Sequence, residues 1–234
     1  MILVVCSVVD DSAARLAQEI CGFTSAAALT CRDLALAKCA IRCPETSTSV
    51  ITVDGSNVRA GELRGVLNLL PAVFPDELYF YPDAEQEYQA SEFHALLTFL
   101  LAALPCPVVN RPTTMSLTGP YSGRTAWYHV AKSVGVPVAD VRLNSDEWAK
   151  PAPANGTLTE VAWLQGQIVG AEEAVTSHYM RRICAAVSVE YLRATFVWRD
   201  GKPALFSAST LPNLRDAATR NALVQLSRRW AEAG

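Results

Sequence analysis

The chain opens on an unbroken apolar run, Met1 to Cys6, which fits a strand buried on both faces of a parallel sheet. Asp10-Asp11-Ser12 supplies N-cap chemistry, and Ala14, Leu16, Ala17 and Ile20 predict the apolar face of a helix closed by Gly22. Residues 27 to 53 read as short strands and turns, ending in Ser49 to Val53 and an Asp54-Gly55 turn. Gly65 to Leu70 predicts another central strand, stopped at Pro71. The strongest helical pattern covers Glu85 to Leu104. There Tyr88, Phe93, Leu96, Leu97, Leu100, Leu101 and Leu104 recur at three- and four-residue spacing, and Pro105 ends the run. Pro107-Val108-Val109 predicts a short strand leading into Asn110-Arg111-Pro112.

The second half alternates differently. A glycine-bearing loop, Gly119 to Gly123, precedes a helix over Arg124 to Ser133, and Gly135 to Val138 leads into an extended segment reaching Leu143. Asn144 to Thr157 is rich in Ser, Pro, Ala, Asn and Gly and reads as a loop or linker. Strands follow at Glu160 to Leu164 and Gln167 to Val169 around a Gln165-Gly166 turn, then a helix over Thr176 to Ala186. Tyr191 to Trp198 and Ala204 to Ser207 predict two strands around Asp200-Gly201-Lys202-Pro203, and Asp216 to Ala233 predicts a closing helix.

Composition narrows the function classes. The chain has 234 residues, half of them apolar, with a net charge of −3, enough for one large α/β domain or two small lobes. Arg181-Arg182 and Arg228-Arg229 are the dense basic pairs, each in a helical pattern, so an electrostatic nucleic-acid binder is not expected. No segment reads as a signal or membrane span, which predicts a cytoplasmic protein. The seven cysteines are an odd number without secretory context and are expected as reduced thiols. Cys39 and Cys43 have a ligand-like spacing, with Cys31 nearby, but no second pair or close histidine completes a tetrahedral site. No histidine or serine stands in a nucleophile motif, so no catalytic residue is assigned.

The order of these elements resembles the ATP-grasp superfamily, in its branch of glutamate-ligase-like and peptide-modifying ligases. Met1 to Val5 followed by Asp10-Asp11 is similar to the family's first strand and helix. The block from Asp54-Gly55 through Leu70 and Glu92 to Val109-Asn110-Arg111-Pro112 is similar to the rest of its N-terminal lobe. Ala131 to Val138, a helix end followed by glycine and Val-Pro, is similar to the start of its nucleotide-binding region, and Leu205 to Leu214 to its metal-binding strand. The resemblance implies an α/β fold: a Rossmann-like N-terminal lobe with a mainly parallel sheet, at 1–115, and a reduced α+β lobe at 116–234, with a linker near 144–158. That second lobe resembles the ATP-grasp core without its small nucleotide-gripping subdomain, because Arg142 to Thr159 cannot hold four strands of roughly 5–6 residues each and a helix.

The departures carry the functional expectation. Alignment of the last two strands places Thr195 where the family has an Asp, Ser207 where it has a Glu, and Ser209 where it has an Asn. Hydroxyls are poor replacements for the hard anionic ligands magnesium takes, and phosphoryl transfer is mostly positioning and electrostatics. Lys150 is the lone lysine in its loop, and the two prolines after it remove backbone donors from any phosphate cradle. The expectation is a degenerate, truncated ATP-grasp-like protein with no cofactor or metal. It would act as an accessory subunit holding a peptide, a small carboxylate or a partner enzyme, as a homodimer or within a hetero-complex. Asn110, Arg111, Gly119 and Arg124 are candidate ligand contacts, since they follow a strand end or precede a helix N-terminus, and Lys150, the lone lysine of its loop, is a further one. The alternative is a divergent ATP-dependent carboxylate–amine ligase using ATP and magnesium.

Overall fold

The computed structural model describes residues 1–36, 40–42, 45–53, 55–114, 116–120, 123–139, 156–170 and 173–233. In chain order the elements are β1 (Ile2–Val5), α1 (Asp11–Cys21), β2 (Ala26–Leu29), α2 (Cys31–Leu36), β3 (Val50–Val53), β4 (Ser56–Arg59) and β5 (Gly65–Asn68). There follow α3 (Asp83–Ala103), β6 (Val108–Val109), α4 (Arg124–Ser133), β7 (Thr157–Leu164), β8 (Gln167–Gly170), α5 (Ala174–Val187), β9 (Tyr191–Arg199), β10 (Lys202–Ser209) and α6 (Ala217–Glu232). The chain forms two compact units, Met1–Pro120 with Asn213–Gly234, and Tyr121–Pro212. No helix among the described residues is long and apolar enough to cross a membrane.

The first unit is built on a parallel sheet of order β2-β1-β5-β6. All four residues of β1 and of β5 are buried, which is why β1 reads as a continuous apolar run rather than an alternating one. Asp10 caps α1 by accepting from the Ser12 and Ala13 amides, and Ala13, Leu16, Ala17 and Ile20 form its buried face; Ala14, expected there, is exposed. α3 carries its apolar residues mainly in its C-terminal half, while its first turns are largely polar and exposed. It buries Ala90, Leu97, Leu100 and Leu101, but Tyr88, expected on the same stripe, is 65% exposed. The division expected at residue 115 puts the closing helix in the second lobe; α6 instead packs against α1 and β5 of the first unit. Its contacts explain this: Arg220 Nε lies 3.3 Å from Glu19 Oε1, and the indole of Trp230 lies where a side chain on Gly65 would project.

The second unit is an antiparallel sheet of order β10-β9-β7-β8 with α4 and α5 packed against it. Its core joins Trp127 and Ala131 of α4, Met180, Ile183 and Cys184 of α5, and Leu192, Ala194 and Phe196 of β9. Fully burying the Met, Ile, Leu and Phe side chains among these contributes about 1.5–3 kcal/mol each. Both hairpin turns match the sequence expectation. Gln165 and Gly166 take φ of 44° and 91°, Asp200 and Gly201 take 49° and 72°, and two successive positive φ angles match the strands' right-handed twist. Val138 forms a parallel bridge to Leu205, extending the sheet toward the segment after α4. Of the linker expected near 144–158, residues 144–155 lie outside the described residues.

Candidate functional site

β9 separates two chemistries by its alternation. Leu192, Ala194 and Phe196 point into the core under α4 and α5, so Arg193 and Thr195 lie on the opposite face. The register then fixes their neighbours. Thr195 pairs with Glu160 of β7 on one side and with Ser207 of β10 on the other; Arg193 pairs with Ala162 and Ser209. Directly opposed residues share a face, so Glu160, Thr195 and Ser207 form one row across three strands, with Arg193 and Ser209 in the next.

Within this face Arg193 Nη1 donates to Glu160 Oε2 at 3.1 Å, with the two side chains 30% and 40% exposed. Ser209 Oγ accepts from the Leu211 amide at 3.1 Å. The register of β10 shifts between Leu205 and Ser207, a bulge that adds Phe206 and re-aims the hydroxyls after it. The first turns of α4 fasten that bulge. The Arg124 guanidinium carbon stands 4.9 Å from the Phe206 ring centroid, and the Tyr128 hydroxyl donates to the Phe206 carbonyl at 3.0 Å. Burial raises the Tyr128 phenol above its ordinary range, and the Arg124 charge opposes part of that shift.

This donor set does not fit magnesium. The expected metal positions carry hydroxyls, and Glu160, the carboxylate in their row, is committed to a guanidinium whose charge would repel a bound cation. Among the described residues no three His, Cys, Asp or Glu side chains gather as metal ligands.

The other candidates divide between the two units. Asn110, 3% exposed with φ of 51°, lies against Gly119, whose φ is 93°; a Cβ on Gly119 would stand 3.1 Å from Asn110 Cβ. The structure therefore brings Asn110 and Gly119 together. Arg111 belongs to the same unit, but its guanidinium donates to the carbonyls of Leu101, Ala102 and Cys106 at 3.1, 3.1 and 2.7 Å. It closes the C-terminal end of α3, where carbonyls lack helical partners, and those donors are taken. Arg124 stands in the second unit on the Phe206 ring, while Lys150, Cys39 and Cys43 lie outside the described residues. Burial pushes the thiols of Cys6, Cys31 and Cys184 up to about 12, the state of packed rather than nucleophilic cysteines.

Sequence reasoning passed over Glu160 and Arg193. Each is an ordinary polar residue in an alternating strand, and only the register makes them neighbours of Thr195 and Ser207.

No protein-family model and no curated protein matches the chain by sequence. Solved structures match its fold. The macrocyclase MdnC of Microcystis aeruginosa MRC, bound with precursor peptide MdnA, superposes with a TM-score of 0.76 at 9% identity, covering 97% of this chain and 99% of that one. The ATP-grasp ligase PsnB, complexed with a minimal precursor, Mg and ADP, gives 0.69 at 12% identity over 99% and 98%. A RiPP-associated ATP-grasp ligase of Chryseobacterium gregarium, with ADP and a leader and core peptide, gives 0.70 at 6% identity over 100% and 97%. The chain has the ATP-grasp fold, as its element order led us to expect.

Proposed function

We propose that this chain is a binding, accessory member of a peptide-modification pathway that does not carry out magnesium-dependent phosphoryl transfer. The observation behind this reading is the row of Glu160, Thr195 and Ser207, with Arg193 paired to its one carboxylate. A catalytic phosphoryl site neutralises developing negative charge with metal ions held by anionic ligands. This face instead offers hydroxyls and a fixed guanidinium, groups that hold a carboxylate or a peptide backbone through hydrogen bonds. Peptide is the partner we favour, because the similar ligases were solved with precursor peptides. Asn110, Gly119 and Arg124 are further proposed contacts, as is Lys150. The test is ADP formation by the pure protein with ATP and magnesium, with and without added peptide. The reading expects no ADP above the protein-free blank. Turnover that Glu160→Ala abolishes would overturn it.

The position of Glu160 beside Thr195 and Ser207 favours a second reading, a divergent carboxylate–amine ligase. Here Glu160 would leave Arg193 on nucleotide binding and Lys150 would meet the phosphates. Glu160→Ala and Lys150→Ala would then each abolish a nucleotide-dependent rise in melting temperature. A rise unchanged in both variants would count against it.

A further inference from the structure

A groove of about 500 Å³ lies in the first unit, lined by Val73, Pro75, Glu87, Ala90, Ser91 and His94. Its wall is one face of α3, since Glu87, Ala90, Ser91 and His94 follow the i, i+3, i+4, i+7 pattern. Its rim is the turn at Pro75–Leu78, which packs on that helix. His94 Nδ1 accepts from the Val73 amide at 3.4 Å, which ties the helix wall to the segment before the turn. Ser91 Oγ donates to the Glu87 carbonyl at 3.1 Å, and the Glu87 side chain is exposed.

The surroundings decide what this groove fits. Between Arg64 and Arg111 the chain has no lysine or arginine but six carboxylates, of which Asp76, Asp83, Glu85, Glu87 and Glu92 are exposed. Phe74 and Tyr88, next in sequence to lining residues, are 55% and 65% exposed. An apolar floor with a carboxylate, in a stretch of chain rich in exposed carboxylates and carrying exposed aromatic rings, is complementary to a cationic, apolar segment.

We propose that this groove docks a basic peptide segment: an apolar side chain fills the space over Val73 and Ala90, and a neighbouring arginine or lysine pairs with Glu87. This goes beyond the functional reading above and does not depend on what the sheet face of the second unit binds. A second basic protein surface would meet the same chemistry, but a space of about 500 Å³ takes only a few side chains, which suits a short peptide segment.

The experiment is fluorescence anisotropy of the full chain with two labelled peptides, one alternating leucine with arginine and the other leucine with glutamate. The arginine peptide should bind more tightly by about tenfold or more, which is 1.4 kcal/mol, and should weaken as salt rises. Ser91→Trp, which fills the groove, and Glu87→Gln should each weaken it, while Glu92→Gln should change it little. Amide hydrogen exchange should slow across residues 87–94 on binding. Equal affinity for the two peptides would overturn the proposal. So would undiminished binding by a natively folded Ser91→Trp, or self-association that protects α3 and shows the groove to be covered by a second copy.

Discussion

Arg193 Nη1 and Glu160 Oε2 lie 3.1 Å apart on adjacent strands, beside Thr195 and Ser207. A half-exposed pair of this kind contributes only about 0.2–1 kcal/mol to stability. Its consequence is chemical: the one carboxylate of the row carries its own cation.

That arrangement predicts a gain of function. The double variant Thr195→Asp with Ser207→Glu would place three carboxylates in one row with Glu160. Like charges opposite one another destabilise paired strands. Without metal the double variant should therefore melt below the wild type, and magnesium should restore much of the loss. Thermal denaturation with and without magnesium checks this; an equal magnesium response in the wild type would show that the native residues already bind the ion.

A second prediction concerns the docking of α6. A Cβ on Gly65 would run into the six-membered ring of the Trp230 indole. Gly65→Val should therefore overpack this contact at a cost of about 1–3 kcal/mol. Because the clash needs both partners, Trp230→Ala should relieve it, and a double-mutant cycle in urea should return strongly non-additive values. Additive losses would mean that α6 does not rest on Gly65.

Asp216 caps α6, accepting from the Thr219 amide and hydroxyl at 2.9 and 2.7 Å and from the Ala218 amide at 3.4 Å. The Thr219 hydroxyl bond chiefly, then those amides and the Arg220 charge, hold its carboxyl below the ordinary 3.8, against the opposing effect of burial. A depressed folded-state value means that this stabilisation is present above the unfolded value and is lost as pH falls through the folded one. Asp216→Ala should cost about 1 kcal/mol at neutral pH, with the difference from wild type vanishing in strong acid. A pH-independent difference would assign the loss to packing instead.

The buried thiols give the opposite sign. Cys6, Cys31 and Cys184 are raised from an ordinary 9.0 to about 12, chiefly by burial, with carboxylates adding to the shift at Cys6 and Cys31. Between those values the unfolded chain ionises and the folded one does not, so stability should be full below about pH 9 and decline as pH rises toward 12. Mass-spectrometric mapping after iodoacetamide treatment of the native protein should find Cys21, which is exposed, modified and these three protected. Rapid labelling of Cys6 would refute its packed state.

The sequence made the scaffold readable where one physical signal dominated. The apolar run of β1, the Asp10 cap of α1, the Gly123–Arg124 start of α4 and the positive-φ turns at Gln165-Gly166 and Asp200-Gly201 are local features that survive folding unchanged. Helix α2 was missed because it has only 6 residues, although Thr30 and Asp33 form reciprocal caps, with bonds of 2.9 and 3.2 Å, that a Thr-x-x-Asp pattern announces. Strand β4 was missed because Ser56–Arg59 is polar and largely exposed and so lacks alternation. The solvent-facing Tyr88 shows the limit of spacing alone, since it lies in the polar, exposed first half of α3 rather than on the buried stripe that follows. At the candidate site the hydroxyls at 195, 207 and 209 were legible. Their neighbours Glu160 and Arg193 were not, because they meet across strands 33 residues apart in sequence. The capping role of Arg111 was hidden for a different reason: its acceptors are nearby backbone carbonyls, which no residue pattern announces.

The measurement that bears most directly on the function is thermal denaturation of the wild-type protein in saturating ATP, with and without magnesium. A specific ligand at a hundredfold excess over its dissociation constant stabilises by about 2.7 kcal/mol. No magnesium-dependent shift is expected, because the proposed metal positions at Thr195 and Ser207 carry hydroxyls and the carboxylate beside them, Glu160, is ion-paired to Arg193. A magnesium-dependent shift of that size, lost in Glu160→Ala, would contradict this reading and favour the divergent ligase instead.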